Sequence, residues 1–250
     1  MEERVMIMKT IVLMSILAAL WAGSVAQAQP IQAVTESSAY AGVHDGKVVG
    51  SATKVVEAVL QDAGLTDYRI NLYPWARSYE MALHDPNVLI YVIARTLARE
   101  KMFKWTGEFL RMEYHLYRLK DRKDIVVGSL DDARNYTIGA TRNDFRHQYL
   151  QAKGFTKVVV SAENIDNFKK LISRQIQLIP LPENDAARLC EEAHFDCSQL
   201  EKVYTLDEVA TGLYMAFSNA TPDAVVDRVK ASFQKLKLDG TVAKLMSSKP

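Results

Sequence analysis

The sequence predicts an α/β protein of two lobes, each a mainly parallel sheet flanked by helices. Three observations predict this fold. Apolar strand patterns alternate with amphipathic helical patterns along most of the chain. The alternation is interrupted after residue 119 by the charged cluster KDRKD and then starts again. A second long extended stretch, GLYMAFS, precedes the last helices, so the chain is expected to cross between the lobes at two hinge segments. Alternating βαβ units form open sheets with helices on both faces.

The first lobe is predicted from residues 30–118 together with 213–250. Its amino-terminal part reads as strands at 31–35, 68–73 and 88–92, helices at 51–63 and 75–83, and a long strand at 109–119. The helix at 51–63 places four apolar residues on one face and ends at Gly64, as a glycine C-cap requires. The continuous apolar run at 88–92 is typical of a buried parallel strand. Thr221 is predicted to cap a helix that ends near Gly240, before a short last helix.

The second lobe is predicted from residues 119–212. The pattern gives strands at 137–140, 157–160 and 177–181, with helices at 144–153, 164–173 and 184–192. Within this lobe, Cys190 and Cys197 are the two cysteines of the chain. In an exported protein this pair favours a local disulfide that closes a helix end, although two free thiols would also fit the sequence.

The amino-terminal segment differs from the rest of the chain. Lys9 precedes an apolar run at 11–22, and the triplet AQA follows at 26–28. This arrangement is typical of a secretory signal peptide cleaved after Ala28, which predicts a periplasmic protein. The alternative is a membrane anchor or a buried helix, but the run is short for a membrane span. Met8 would make a more basic start than the first methionine.

Composition sets limits on the partners of the protein. The chain has 250 residues, of which 48% are hydrophobic and 24% charged, with a formal net charge of +1. This is enough apolar material for one or two cores. A nearly neutral chain has no overall field that would attract nucleic acid, so no nucleic-acid partner is predicted. No metal or organic cofactor is predicted, and the protein is expected to be a monomer.

Arginines and aromatic residues follow several predicted strands. Arg95 and Arg99 flank Thr96 after the strand at 88–92, and the motif YPWAR, with Trp75 and Arg77, follows the strand at 68–73. Open α/β sheets bind ligands at the carboxyl ends of their strands. With Thr96 as a helix cap, the first turn would offer free N–H groups to an anion, and Arg99 would add a fork that fits a carboxylate. The alternatives are a solvated arginine, a core tryptophan and a structural salt bridge.

The order of these motifs resembles the family 3 extracellular solute-binding proteins, the periplasmic polar amino-acid binders with the type II periplasmic-binding fold. The resemblance rests on DGKVVGSATKVVEAVL, RTLAREKMFKWTGEF, SLDDARNYTIGATRND, GLYMAFS and FQKLKLDGTVAKLM, and it covers about residues 34–246. It implies a small carboxylate ligand, amino-acid-like, bound between the lobes. It also implies delivery to a membrane permease of an ABC-type system, or signalling to a sensor receptor.

The resemblance also implies roles for single residues. Arg99 corresponds to the arginine that clamps the ligand carboxylate, whereas Ala94 stands where many members have a serine. The turn at 139–144 corresponds to the second-lobe ligand-binding turn, although a plain βα turn would read the same. The acid that meets the ligand's ammonium has no clear match near Glu183 and Asn184. We therefore expect the ligand-binding residues to be the following: Arg99, Thr96, Arg77, Trp75, Arg95, Asp144, Tyr40, Glu36 and Trp105.

Other classes of function find less support in the sequence. The five histidines form no HExxH or other metal-binding spacing, and no GxSxG motif of a serine hydrolase is present. An enzyme is therefore not predicted. A ligand sensor needs the same cleft as a transport protein, so the sequence leaves those two roles open.

Overall fold

The computed structural model describes residues 30–209 and 211–247. The predicted signal peptide lies outside these residues. Within them, no helix is both long and apolar enough to cross a membrane.

Two groups of elements follow one another along the chain. The first comprises β1 (Ile31–Thr35), β2 (Gly42–His44), β3 (Lys47–Val49), α1 (Ser51–Asp62), β4 (Tyr68–Leu72), α2 (Trp75–His84), β5 (Val88–Ala94) and β6 (Phe103–Met112). The second comprises β7 (His115–Leu119), β8 (Ile138–Thr141), α3 (Phe145–Ala152), β9 (Val158–Ser161), α4 (Asn164–Ile172), β10 (Ile179–Leu181), α5 (Glu183–Glu192) and β11 (Leu200–Thr205). The chain then returns to the first group through β12 (Thr211–Ser218), α6 (Asp223–Leu238) and α7 (Thr241–Ser247).

The first lobe is built on a five-stranded sheet in the order β4-β1-β5-β12-β6. Strand β1 pairs in parallel with β4 and β5, as predicted, but β12 runs antiparallel to both β5 and β6. One apolar core packs α1, α6 and α7 against the sheet, and another packs α2 against it. The lobe is therefore layered on both faces, although its sheet is mixed.

The second lobe contains a parallel pair, β8 and β9, and an antiparallel sheet in the order β10-β7-β11. The predicted single strand at 109–119 is in fact two strands, β6 and β7, which belong to different sheets. A boundary after residue 118 would cut β7. From sheet membership we propose that the chain crosses between the lobes once between β6 and β7 and once between β11 and β12.

Two local predictions concern the ends of helices. Cys190, in the last turn of α5, forms the predicted disulfide with Cys197, which follows the end of the helix. Closing a loop this short stabilises the folded state by roughly 2–3 kcal/mol. Thr221 does not cap α6, whose cap is Pro222. Its buried hydroxyl instead accepts a hydrogen bond from the Asn87 amide at 3.1 Å.

Candidate functional site

The carboxyl ends of β1, β5 and β8 meet at a cleft between the two lobes. Two small cavities lie there, of about 30 and 50 Å³, and Glu36 and Trp75 border both of them. Cavities of this size hold one or a few water molecules. Hydrogen bonds between the lobes surround them, so the cleft is closed in this structure.

Arg99 is the most deeply buried charge of the cleft, with 1% of its surface exposed. Its Nη2 donates to the Asn143 carbonyl of the second lobe at 3.0 Å, and its Nη1 donates to the Ala94 carbonyl at 3.4 Å. The guanidinium lies 4.7 Å from the ring centre of Tyr79 and 5.3 Å from that of Trp75. Burial lowers the pKa of Arg99. Its Nε has no hydrogen-bond partner among the residues that the structure describes.

The turn before Arg99 differs from the predicted helix start. Only a single 3-10 turn, Leu97–Arg99, follows Thr96. The Thr96 carbonyl accepts from the Arg99 amide at 3.0 Å, and its hydroxyl makes no capping bond. A turn this short offers no row of free N–H groups to an anion. Thr96 borders neither of the two cavities, and its role in an anion site stays a prediction.

Trp75 occupies the cleft wall, as the sequence suggested. It is buried at the start of α2, and its Nε1 donates to the Asn143 carbonyl at 2.9 Å. That carbonyl therefore accepts from Trp75 and Arg99 together. Asn143 has a positive φ of 59°, a conformation that asparagine adopts more readily than most residues. Its side chain also donates to Glu80 at 3.4 Å.

Arg77 does not reach the cleft. It is exposed on α2 and stacks over the Tyr73 ring, 3.9 Å from its centre. Residues two apart on a helix point in nearly opposite directions. Because Trp75 faces the cleft, Arg77 faces away from it and borders neither cavity. Its predicted role, shaping the pocket floor or the salt bridges there, stays a prediction.

Arg95 and Trp105 form a separate cluster on the other side of the sheet end. Arg95 donates to both Glu100 carboxylate oxygens, at 2.5 and 2.8 Å, and lies 5.3 Å from the ring centres of Trp105 and Tyr214. The Trp105 Nε1 donates to the Glu100 carbonyl at 3.0 Å. Side chains alternate along an extended strand. Since Ala94 borders the cleft cavity, Arg95 points away, and neither predicted residue lies in the cleft.

Asp144 lies in the cleft but already has a cationic partner. It caps α3, accepting from the Arg146 amide at 2.8 Å, and its Oδ1 also accepts from the Arg146 Nε at 2.6 Å. Both side chains are buried. Arg146 is held further by the Pro180 carbonyl and the Asn164 side chain, at 3.0 and 3.3 Å. Asp144 is thus engaged within its own lobe, which argues against its predicted contact with a ligand cation.

Glu36 follows β1 directly and is the acid that borders both cavities. Its carboxyl group accepts no hydrogen bond from any residue within 30–209 or 211–247. Burial, reinforced by the negative charge of Asp144, raises its pKa to about 8. Glu36, which is half-buried, therefore holds its proton to a higher pH than an ordinary carboxyl group.

The loop that follows Glu36 is tied to α5 of the second lobe. The Tyr40 hydroxyl, beside the smaller cavity, accepts from Asn184 at 2.9 Å. The Ala39 amide donates to Asp185 at 2.8 Å. Arg188 lies 3.7 Å from Asp185 and donates to Ser37 at 3.4 Å. Sequence reasoning missed Arg146, Asp185 and Arg188; the signals available were an Asp-x-Arg at one helix start and an Asp-x-x-Arg spacing in another helix.

Histidine, cysteine and carboxylate side chains that lie close together could also hold a metal ion. Within the described part of the chain, no group of three or more histidine, cysteine, aspartate or glutamate side chains is placed to hold a metal ion.

Solved structures resemble this chain over nearly its whole described length. One is a histidine kinase sensor domain with similarity to periplasmic binding proteins, with a TM-score of 0.78, 15% identity, and 88% and 96% of the two chains covered. Another is ArtJ of Geobacillus stearothermophilus, described as an arginine-, lysine-, histidine-binding protein, with a TM-score of 0.74, 13% identity, and 89% and 97% covered. A third is AbpA of Streptococcus pneumoniae, an amino acid ABC transporter substrate-binding protein bound to L-arginine, with a TM-score of 0.71, 19% identity, and 87% and 92% covered.

The sequence comparisons add no closer relative. No protein-family model matches the chain, and no curated protein matches it significantly. At these identities the structural likeness shows the fold, which is the two-lobed α/β fold of type II periplasmic binding proteins.

Proposed function

We propose that this chain is an exported, periplasmic solute-binding protein of the family 3 kind. It captures a small carboxylate ligand, amino-acid-like, in the cleft between its lobes and presents it to an ABC-type membrane permease. The observation that carries this proposal is Arg99, a guanidinium buried in the cleft without an ion-pair partner among the residues that the structure describes.

The surroundings of Arg99 support a carboxylate as its ligand. A buried charge is costly unless it is paired and hydrogen-bonded. Among the described residues, the hydrogen-bond acceptors of Arg99 are the carbonyl oxygens of Ala94 and Asn143, and its Nε is unpaired. A ligand carboxylate would offer the missing negative charge and could accept two parallel N–H bonds, which is the geometry that guanidinium favours.

The rest of the proposed site comes from both lobes. Trp75 and Tyr40 form walls, Glu36 is the acid that faces a cationic group of the ligand, and the Asp144–Arg146 pair holds the second-lobe turn in place. A charged bidentate contact contributes roughly 1.5–3 kcal/mol, whereas micromolar binding needs about 8 kcal/mol. Aromatic contact and lobe closure must supply the remainder.

Ligand entry requires the lobes to separate. The cavities of about 30 and 50 Å³ are too small for an amino acid. A ligand carboxylate on Arg99 would displace the Asn143 carbonyl, and the lobes would close again over the ligand. Hinge closure of this kind is the general behaviour of periplasmic binding proteins.

A second candidate is a periplasmic sensor whose lobe closure is read by a membrane receptor. The specific observation in its favour is the likeness to a histidine kinase sensor domain. Genes for a permease and an ATPase beside this gene would favour transport, whereas a receptor gene would favour sensing. We propose no enzymatic activity, because the solved structures that the chain resembles are described as binding proteins and a sensor domain.

A thermal-shift screen of the chain from Gln29 onward tests the binding function. The panel contains the twenty amino acids, small organic acids and neutral sugars. A ligand present at a hundred times its Kd stabilises the folded state by about 2.7 kcal/mol. We expect a carboxylate hit that disappears in Arg99→Gln and persists in the matched control Arg95→Gln. A sugar hit, or a carboxylate hit indifferent to Arg99→Gln, would contradict the proposal.

A further inference from the structure

The geometry of the cleft points to a proton-coupled binding step at Glu36. We propose that a ligand bearing an ammonium or guanidinium group binds beside this carboxyl and displaces its proton to solvent. Ligands with such a cation therefore bind more tightly as the pH rises, whereas their counterparts without it do not. This inference rests on the proposed function, since it concerns the same cleft.

Glu36 stands at the carboxyl end of β1, a strand inside the five-stranded sheet. Both cleft cavities touch it, and the smaller one also touches Arg99. Once the lobes have opened and closed over a ligand whose carboxylate contacts Arg99, the neighbouring groups of that ligand therefore lie on the side of the cleft that Glu36 lines.

The other two acids that line the smaller cavity, Asp144 and Asp185, already have partners. Asp144 is bound to Arg146 at 2.6 Å, and Asp185 accepts from the Ala39 amide and lies 3.7 Å from Arg188. Glu36 has no such partner among the described residues. Of the acids beside Arg99 in this cavity, it is therefore the one that is free to accept a hydrogen bond from a ligand cation.

Charged groups of both signs face Glu36. Two acids and two arginines approach it from α3 and α5, and a further arginine, Arg99, lies across the smaller cavity. Other titratable groups on the cavity walls or next to these pairs can also respond to pH. The charged groups are Asp144, Arg146, Asp185, Arg188 and Arg99, and the others are Tyr40, Tyr73, Tyr114, His147, Glu163 and Glu192.

The protonation state follows from these surroundings. Arg146 is engaged with Asp144, and Arg188 with Asp185 and Glu192. Burial therefore dominates and raises the pKa of Glu36 to about 8. At pH 6 to 7 the group is a neutral acid. When a ligand cation arrives, the Glu36 O–H bond breaks, the proton leaves to the buffer, and the carboxylate accepts a hydrogen bond from the ligand N–H.

The size of the effect follows from the fraction of Glu36 that is ionised before binding. With a pKa of about 8, that fraction rises from about one hundredth at pH 6 to about one half at pH 8. The apparent Kd is the intrinsic Kd divided by the competent fraction, so the Kd of a cationic ligand should fall roughly fiftyfold over this interval. A ligand with a carboxylate alone leaves the proton in place, and its Kd should stay level.

Isothermal titration calorimetry tests the proposal directly. Wild type is titrated at pH 6, 7 and 8, in pairs of buffers that differ in protonation enthalpy, with the twenty amino acids and with the carboxylic acids that lack their α-ammonium groups. Glu36→Gln imitates the protonated state. The matched control is Glu183→Gln, which makes the same change at an exposed position.

We expect wild type and Glu183→Gln to release close to one proton per bound amino acid at pH 6, with the roughly fiftyfold change in Kd. Glu36→Gln should release none and show a level Kd. The buffer-pair measurement on wild type stands alone if the variant does not fold.

Three results would overturn the inference. Amino-acid binding without proton release, still lost in Arg99→Gln, would refute proton coupling and leave the proposed function intact. Proton release that persists in Glu36→Gln would assign the coupling to another group, such as His147. Silence of every probe at every pH would refute both the inference and the proposed function.

Discussion

Arg95 and Arg99 are four residues apart, and they occupy opposite environments. Arg95 lies at the surface, bound to both oxygens of Glu100 and packed on two aromatic rings. Arg99 is buried between the lobes, where it meets carbonyl oxygens and no carboxylate. Arg95 has its counter-charge in Glu100, whereas no described residue forms an ion pair with Arg99. The candidate ligand-binding charge is therefore the arginine that lacks an ion-pair partner within the described part of the chain.

The acids of the cleft show the same contrast. Asp144 is tied to Arg146 and caps α3, whereas Glu36 borders both cavities without a donor among the described residues. The paired charges, such as Asp144 and Arg146, hold elements beside the cleft in place. The unpaired charges, Glu36 and Arg99, line the smaller cavity. Substitutions at the two kinds of position should therefore affect different properties, with paired charges affecting stability and unpaired charges affecting binding and pH response.

The largest effect on stability should come from the buried pair. Asp144→Ala removes the counter-charge of Arg146 and the α3 cap together. Breaking a buried ion pair by removing one partner costs about 3–5 kcal/mol, and urea unfolding measures this loss. Asp131→Ala, which breaks an exposed pair with Arg134, is the control and should cost under about 1 kcal/mol. Equal losses in the two variants would contradict the distinction.

The next effect concerns the unliganded protein and Glu36. Its pKa is about 8 in the folded state against an ordinary value of 4.5, so the folded state binds the proton more tightly than the unfolded state. The contribution of Glu36 to the free energy of unfolding is therefore fully present below pH 4.5 and is lost as the pH rises through 8. Allowing for residual solvent contact, the decline should be roughly 3 kcal/mol.

Urea unfolding at pH 5, 6, 7 and 8 measures this decline. Glu36→Gln has no carboxyl group at this position, so it should lack this decline. The difference in stability between wild type and the variant should therefore change by roughly 3 kcal/mol across the titration of Glu36. Parallel pH profiles for the two proteins would show that Glu36 titrates normally.

A smaller effect should come from Trp75→Phe. The substitution keeps an aromatic wall but removes the indole donor to the Asn143 carbonyl. Losing one hydrogen bond of this kind costs about 0.5–1.5 kcal/mol. Unfolding midpoints in urea test the prediction, and no loss at all would mean that the interlobe contact does not stabilise the protein.

The smallest effect should come from Arg95→Gln. Exposed ion pairs contribute up to about 1 kcal/mol, so stability should change by less than that amount and ligand affinity should stay the same. Calorimetric binding and urea unfolding of this variant check both expectations. A clear loss of affinity would place the surface cluster in the binding site after all.

Much of the fold could be predicted because its signals are local. The apolar face of α1 and the continuous run of β5 depend on residue spacing within single elements. Strand ends also predicted that Arg99 and Trp75 would reach the cleft. The break between β6 and β7 escaped prediction because alternation continues across it, while the partners of the two strands lie in different sheets.

The remaining differences between the predicted and the observed site have tertiary causes. Arg77 points away from the cleft because of its position around helix α2, and Arg95 does so because side chains alternate along β5. A short 3-10 turn replaces the helix expected after Thr96. Pairing of Asp144 with Arg146 could not be read from the sequence, because it depends on burial of both side chains. The sequence therefore predicted which strand ends form the cleft more reliably than which charges remain unpaired there.

Whether Arg99 binds the ligand carboxylate can be measured directly by titration. The tightest ligand from the screen and its neutral carboxamide are titrated into wild type and Arg99→Gln, which gives a double-mutant cycle between the protein and the ligand. The account predicts that the carboxamide binds about ten to a hundredfold more weakly to wild type, and that this difference largely disappears in Arg99→Gln. The same loss in both proteins would show that another group binds the carboxylate.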